Sequence, residues 1–430
     1  MYIWDLTARD CSTFEISKGG EKYKNVIIEE FIKQSKNCYL KFMQKDKDDE
    51  PVALFDYKRN KWIAGRFIGK MSFPFKNHLI NVEISPRFGD SSLIEMLEKI
   101  HNIKIPENKE NEGSTKEKTW IEKIIGLIWL KQLADANRFG LPRTNRRETF
   151  KGFVIKGRLN IRESIKPFFH QKSIVSQYYI KHFDDTIFQI LSQAYKILSK
   201  NFLTTPSDSA IDAINHLKSN EIPFRKIPES EYKKIKYKSI YISFKKMVDL
   251  SWRIINNKSA FFDSNYGNKD SFGLFIDMAE IWELYLEKIL SKNFLNWQIR
   301  PQEDYSIYQD QFYKRSIRPD IIMKKENKIA VFDAKWKKMS FIKDDFDRSD
   351  FFQINTYISY LKNQKKYDVV TGGLLYPLEK DFGDIQTKHS ENWLDDNSTK
   401  FIVDGIQMKD EINTDEVEEF ICRMQGVLNE

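Results

Sequence analysis

The chain has 430 residues, 41% of them hydrophobic and 31% charged, with a formal net charge of +8. This apolar content supports packed cores and excludes a globally disordered chain, the length predicts two or three domains, and the mild basic excess accommodates a nucleic-acid partner without demanding one. Three scattered cysteines (Cys11, Cys38, Cys422) and six scattered histidines give neither a disulfide framework nor a zinc site. No apolar run reaches the ~18 residues of a membrane span, and the N-terminus lacks the basic-then-apolar pattern of a signal peptide, so a cytoplasmic protein with reduced thiols and no membrane contact is expected.

In chain order, residues 1–90 alternate apolar and polar side chains over CYLKF, VALFDY, KWIAGRF and HLINVEI, with turn-like KDKDDEP and YKRNK between some of them. Period-2 runs broken by turns predict a small antiparallel β domain. SSLIEMLEKI (91–100) has helical spacing, and the almost wholly polar 101–118 reads as a linker or exposed loop. TWIEKIIGLIWLKQLADANRFG predicts a helix with Thr119 as N-cap and Gly140 as its stop. Residues 183–202, 208–219 and 244–257 are helical in pattern as well. From 272, FGLFIDMAEIWELYLEKILSKNF predicts one long helix, then strands near 317–323, 328–333 and 368–376, with a helix near 350–364 between the last two. KFIVDGIQM and NTDEVEEFICRMQGVL add a strand and a helix, and the alternation argues for an α/β domain. The expected organisation is a β-rich domain at 1–100, a mainly helical middle region at 119–258 and an α/β domain at 259–430. The segment closest to a phosphate-binding loop, Gly65 to Met71, is one residue short between its glycines and has Met where the Mg²⁺-binding hydroxyl belongs.

The chemistry concentrates in RPDIIMKKENKIAVFDAKWK (318–337). On a strand, residues i and i+2 share a face roughly 6.6 Å apart, so Asp333 and Lys335 point the same way at the end of an apolar run, while Ala334 turns to the packed side. Charges on such a strand are costly unless paired or metal-bound. Asp320 follows Pro319, where a strand starts or an edge lies, and a hairpin through KKENK (324–328) would set Asp320 beside Asp333. Two carboxylates and a lysine make a hard-cation site with a point charge beside it, which is the chemistry of phosphodiester cleavage. The carboxylates hold Mg²⁺, which lowers the pKa of a bound water, and the lysine orients that water or stabilises charge developing on phosphorus.

An isolated D-x-K is more simply a surface salt bridge on a hairpin. The apolar strand, the upstream Pro-Asp and the following helix raise this one above that reading. In that helix, DFFQINTYISY, Gln353 and Tyr357 share a face at i, i+4, as an ordinary amphipathic helix would also arrange. Glu280, Glu283 and Glu287 share a face of DMAEIWELYLEKIL. Glu283 is the candidate further acid, and a solvated helix face is the alternative. NRRETFKGFVIKGRLNIR (145–162) and YKKIKYKSIYISFKK (232–246) interleave basic residues with aromatic and β-branched ones. They suit DNA phosphates or, equally simply, half-exposed strands. Arg146, Arg147, Lys156 and Arg158 are the candidate DNA contacts.

Pro319-Asp320, twelve intervening residues and Asp333-Ala334-Lys335 resemble the PD-(D/E)xK nuclease signature. Gln353-x-x-x-Tyr357 resembles the element that flanks the active site in RecB-like members of that superfamily. FGLFIDMAEIWELYLEKIL, RPDII, IAVFDAKWK and DFFQINTYISY come in the order and approximate spacing of McrC proteins, the nuclease subunits of McrBC-type modification-dependent restriction systems. INVEISPRFGDSSLIEMLEKI resembles that family's N-terminal strand, basic turn and helix. TFKGFVIKGRLNIRESI resembles its central R-G-R-L-like element, with Lys156 where Arg is usual. The resemblance covers most of the chain and is strongest over 272–376.

The resemblance implies a C-terminal PD-(D/E)xK restriction-endonuclease-like domain with Asp320, Asp333, Lys335, Glu283, Gln353 and Tyr357 as catalytic residues. It implies a Mg²⁺ site, with Mn²⁺ as a substitute, drawing on Asp320, Asp333, Glu283 and Ala334. The implied partners are modified double-stranded DNA and a McrB-like AAA+ GTPase hexamer, which the N-terminal region stimulates. Arg87, on the SPRFGD turn, is the candidate contact with that motor, with a merely solvated arginine as the alternative. Two rival readings stand beside this one: a stand-alone PD-(D/E)xK nuclease in defence or repair, and a non-catalytic factor that assembles with and stimulates a GTPase.

Overall fold

The computed structural model describes residues 2–35, 39–40, 52–101, 120–199, 208–219, 225–256, 272–301, 303–308, 315–337, 347–378, 389–394, 396–408 and 414–428. The expected linker at 101–118, apart from His101, and the expected cap Thr119 lie outside them. The chain divides into two compact units: Met1–Ile105 joined with Gly267–Glu430, and the inserted Pro106–Tyr266. The N-terminal and C-terminal regions, expected as separate domains, thus belong to one body.

A single strand explains why. Phe272–Asp277 is not the start of the long helix that its apolar run predicts; it is a strand paired antiparallel with Phe67–Phe75. The helix begins only at Met278 and runs to Asn293. Asp277 makes the break: its carboxylate accepts from Ala279 N–H at 2.9 Å as an N-cap and also pairs with Arg66 Nε at 2.9 Å. An apolar stretch of this length has no periodicity that separates strand from helix.

Among the described residues, the N-terminal sheet runs Glu15–Ile16, Tyr2–Arg9, His78–Ser85, Phe67–Phe75, Phe272–Asp277, Tyr39–Leu40. It is mixed and not purely antiparallel, because Tyr2–Arg9 lies parallel to His78–Ser85. Helix Lys24–Ser35 covers it, packing Ile27, Ile28 and Phe31 onto Leu6, Phe73, Ile80, Val82 and Phe275. Residues 67–71 belong to a strand of this sheet, so the chain forms no phosphate loop there.

The second sheet of this unit runs Gln298–Pro301, Ile321–Lys325, Lys328–Ala334, Asp368–Leu378, Asp396–Gln407, His389–Trp393. Its three central strands from Lys328 onward are parallel to one another, and helix Arg348–Asn363 lies between the first two in sequence. Ile354, Tyr357, Ile358 and Leu361 of that helix pack on Ile322, Ile329, Val331, Leu374 and Val403. The approach is close enough that a Cβ at Gly372 would strike Ile358. On the strand's other face, Trp336 meets Trp282 of helix Met278–Asn293, ring centroids 5.9 Å apart.

The inserted unit buries Trp129, Leu133, Phe188, Ile190, Leu191, Met247 and Val248 among helices Trp120–Ala136, Asp185–Leu198, Asp208–Lys218 and Phe244–Asn256. Gly140, at φ 77°, follows the 3-10 turn that ends the first of them. It also holds a three-stranded sheet in which Ile174–Phe183 lies between Arg143–Gly152 and Arg158–Leu159. No described helix is long and apolar enough to cross a membrane.

Candidate active site

The KKENK turn closes as a two-residue hairpin loop, with Glu326 at φ 52° and Lys325 opposite Lys328. The register Ile321↔Phe332 sets Asp320, one residue before its strand, opposite Asp333. Asp320 Oδ2 accepts the Ala334 N–H at 3.0 Å, tying the two strand ends together. Asp333 is 1% exposed. Its Oδ2 lies in contact with the Lys335 ammonium.

Lys335 Nζ also donates to Gln353 Oε1 at 2.9 Å and lies 3.6 Å from Asp350 Oδ1. Gln353 Nε2 donates to the Tyr357 hydroxyl at 2.6 Å, which in turn donates to the Arg318 carbonyl at 3.4 Å. The i, i+4 pair on the helix therefore links the lysine to the segment that leads into Asp320. Burial alone would lower the Lys335 pKa, but the charge and hydrogen bond of Asp333, with Asp350 and Asp320 behind it, hold the ammonium above the ordinary lysine range. Burial, the charge of Asp333 and, further off, Asp320 push the Tyr357 hydroxyl up to about 12. The charged form of Lys335 is thus favoured, and its ammonium serves as a hydrogen-bond donor to Gln353.

Asp350 escaped the sequence reading. It is 3% exposed and accepts hydrogen bonds from Lys337 Nζ on both carboxylate oxygens, at 2.9 and 3.0 Å, while Lys337 Nζ also donates to Asp347 at 2.8 Å and Tyr376 OH approaches Asp350 at 3.4 Å. Its i, i+3, i+7 relation to Gln353 and Tyr357 was the available signal. Glu283 is buried on helix Met278–Asn293, whose neighbouring Trp282 packs with Trp336. Among the described residues no three His, Cys, Asp or Glu side chains converge as a metal-holding group.

Arg87 is not on an exposed turn. Its side chain is 3% exposed and lies against Asp10 and the ring of Trp336. Burial lifts the Asp10 carboxyl above its ordinary range, against the pull of Arg87 and Trp336. Arg146, Arg147, Lys156 and Arg158 are all exposed on the three-stranded sheet of the inserted unit or in the loop joining its strands. There Arg147 contacts Gln177, the register partner of Arg158, and Lys156 lies 4.3 Å from the Phe150 ring centroid.

Two aspartates in register at paired strand ends, with a charged lysine beside them, define a mixed α/β protein with a carboxylate–lysine centre. The family model described as McrBC 5-methylcytosine restriction system component matches residues 64–377, well over half of the chain. The chain belongs to that family and is a component of a McrBC-type restriction system. Among solved structures, the chain is similar to one from the refined half-complex of the tetradecameric assembly of Thermococcus gammatolerans McrB AAA+ hexamers with bound McrC. The TM-score is 0.56 at 13% identity, covering 98% of this chain and 100% of that one. A chain of the cryo-EM structure of the T. gammatolerans McrBC complex matches at TM-score 0.34 and 15% identity, over 68% of this chain and 88% of that one. Comparison with curated proteins gives no match.

Proposed function

We propose that this chain is the Mg²⁺-dependent DNA endonuclease subunit of its restriction system, with a PD-(D/E)xK-type centre at Asp320, Asp333 and Lys335. The observation that carries the reading is the register of the hairpin, which sets the two carboxylates opposite each other with Lys335 held beside them by Gln353. The donor set fits the metal, since Mg²⁺ takes hard oxygen ligands and is commonly held by one or two carboxylates while keeping several waters. Asp320 and Asp333 would hold it, and Ala334 is the adjoining backbone position. Bound there, the ion would supply Lewis-acid polarisation of a phosphate and a bound water of lowered pKa.

Lys335, kept charged by its acidic neighbours, donates hydrogen bonds to the oxygen on which charge develops. Gln353 and Tyr357 aim its ammonium, and Asp350 holds the second lysine, Lys337, beside the same centre. The exposed arginines and lysines of the inserted unit, Arg146, Arg147, Lys156 and Arg158, are suited to contact DNA phosphates. By family membership and the likeness to a chain from a McrB–McrC assembly, the chain acts with a McrB-like AAA+ GTPase hexamer and stimulates it. The test mixes the purified chain with such a GTPase, GTP, Mg²⁺ and methylated or unmodified duplex DNA. Cleavage confined to the full mixture with methylated DNA supports the reading. Efficient cleavage by the chain with Mg²⁺ alone favours a stand-alone nuclease, and motor stimulation without any cleavage favours a non-catalytic factor.

A further inference from the structure

The strand carrying Asp333 ends at Ala334, so Lys335 stands just beyond the ladder. Its own N–H still reaches Leu375 O at 2.9 Å, but beyond it the chain is held from elsewhere. Residue alternation turns Trp336 to the opposite face from Lys335. There the Trp336 indole Nε1–H donates to Asp10 Oδ2 at 2.7 Å. Arg87 Nη2 donates to the Lys337 carbonyl at 3.2 Å, and the Arg87 guanidinium lies 4.8 Å from the centroids of both Phe88 and Trp336. Asp10 Oδ1 accepts the Arg87 backbone N–H at 2.6 Å. Asp10 follows the first strand of the N-terminal sheet and Arg87 sits on the turn before helix Gly89–His101. Two residues from the N-terminal region therefore grip both residues that follow Lys335. A sealed ion pair is an expensive fastener where apolar packing would hold as well. What charge and directional hydrogen bonds add is geometry.

We propose that Asp10 and Arg87 are positioning residues for Lys335, fixing the Trp336-Lys337 backbone so that the ammonium stays aimed at the carboxylate centre. The catalytic consequence rests on the nuclease reading, whereas the positioning itself does not. The test uses the full-length chain carrying Trp336→Phe, which keeps the ring but removes the hydrogen bond to Asp10, and Arg87→Lys as a second variant. Amide hydrogen exchange is followed for residues 333–337, for the Ile321–Lys325 strand and for helix Arg348–Asn363. Exchange at 333–337 is expected to rise about five-fold, the scale of one lost hydrogen bond, with the strand and helix unchanged. In the motor-assembled protein, kcat should fall by a similar factor with KM unchanged. Unchanged exchange at 333–337 in both variants overturns the proposal, and so does a uniform rise across the unit, which marks general stability only. If the wild-type assembly does not cut DNA, the nuclease reading fails while the exchange result still decides the positioning role.

Discussion

Two buried ion pairs flank the end of the Lys328–Ala334 strand, one on each face, and their balances differ. At Asp333–Lys335, burial works against the lysine charge, but three carboxylates outweigh it and the ammonium is held firmly charged. At Asp10–Arg87, burial outweighs the neighbours and lifts the carboxyl above its ordinary range. The first pair keeps an opening, with Lys335 15% exposed; in the second neither side chain exceeds 3%. A charged group that is favoured, partly open and multiply connected is arranged to act on something that arrives. One that is disfavoured and sealed is arranged to hold something in place. Identical residue classes thus take different work from their surroundings.

The largest expected effect separates the pairs by stability. Asp10→Ala takes the carboxylate from a buried arginine and an indole N–H, which costs about 3–5 kcal/mol in urea unfolding of the full chain. Lys335→Gln also leaves carboxylates without their ammonium, but it keeps a hydrogen-bond donor in a site that retains an opening to water, so its cost should be smaller than that of Asp10→Ala. If Lys335→Gln proves the more damaging to stability, the contrast is reversed. In cleavage, Lys335→Gln is expected to lose about 10²-fold, the scale of one transition-state stabiliser.

Tyr357→Phe removes the hydroxyl between Gln353 and the Arg318 carbonyl. About a five-fold fall in kcat is expected, with Mg²⁺ dependence unchanged. A larger loss than that of Lys335→Gln would make the tyrosine, and not the lysine, the acting group. The smallest effect is with pH. Because the folded Lys335 pKa is raised, its contribution to stability is fully present below the unfolded value of about 10.4 and is lost as pH rises through the folded value. The stability gap between wild type and Lys335→Gln should therefore stay constant from about pH 6 to 9, and a gap that changes within that window contradicts the assignment.

What the sequence made legible is local. The hairpin follows from a short polar turn between two apolar runs, and Asp320, Asp333, Lys335, Gln353 and Tyr357 follow from its register and one helical face. What it hid is long-range. Nothing near Phe272 announces a partner two hundred residues upstream, and the cap at Asp277 looks like any acid inside an apolar stretch. Arg87 reads as an exposed turn arginine until the second sheet closes over it through Trp336. Asp350 was within reach, because it shares the helical face of Gln353 and Tyr357, but an acid in the first helical turn has an ordinary role that masked it.

The most direct test of the central claim is Asp333→Asn in the motor-assembled protein, with DNA cleavage and GTP hydrolysis measured side by side. The account predicts that cleavage falls by about 10³-fold or more while GTPase stimulation and thermal midpoint stay near wild type. Cleavage at the wild-type rate, or loss of cleavage, stimulation and folding together, would contradict it.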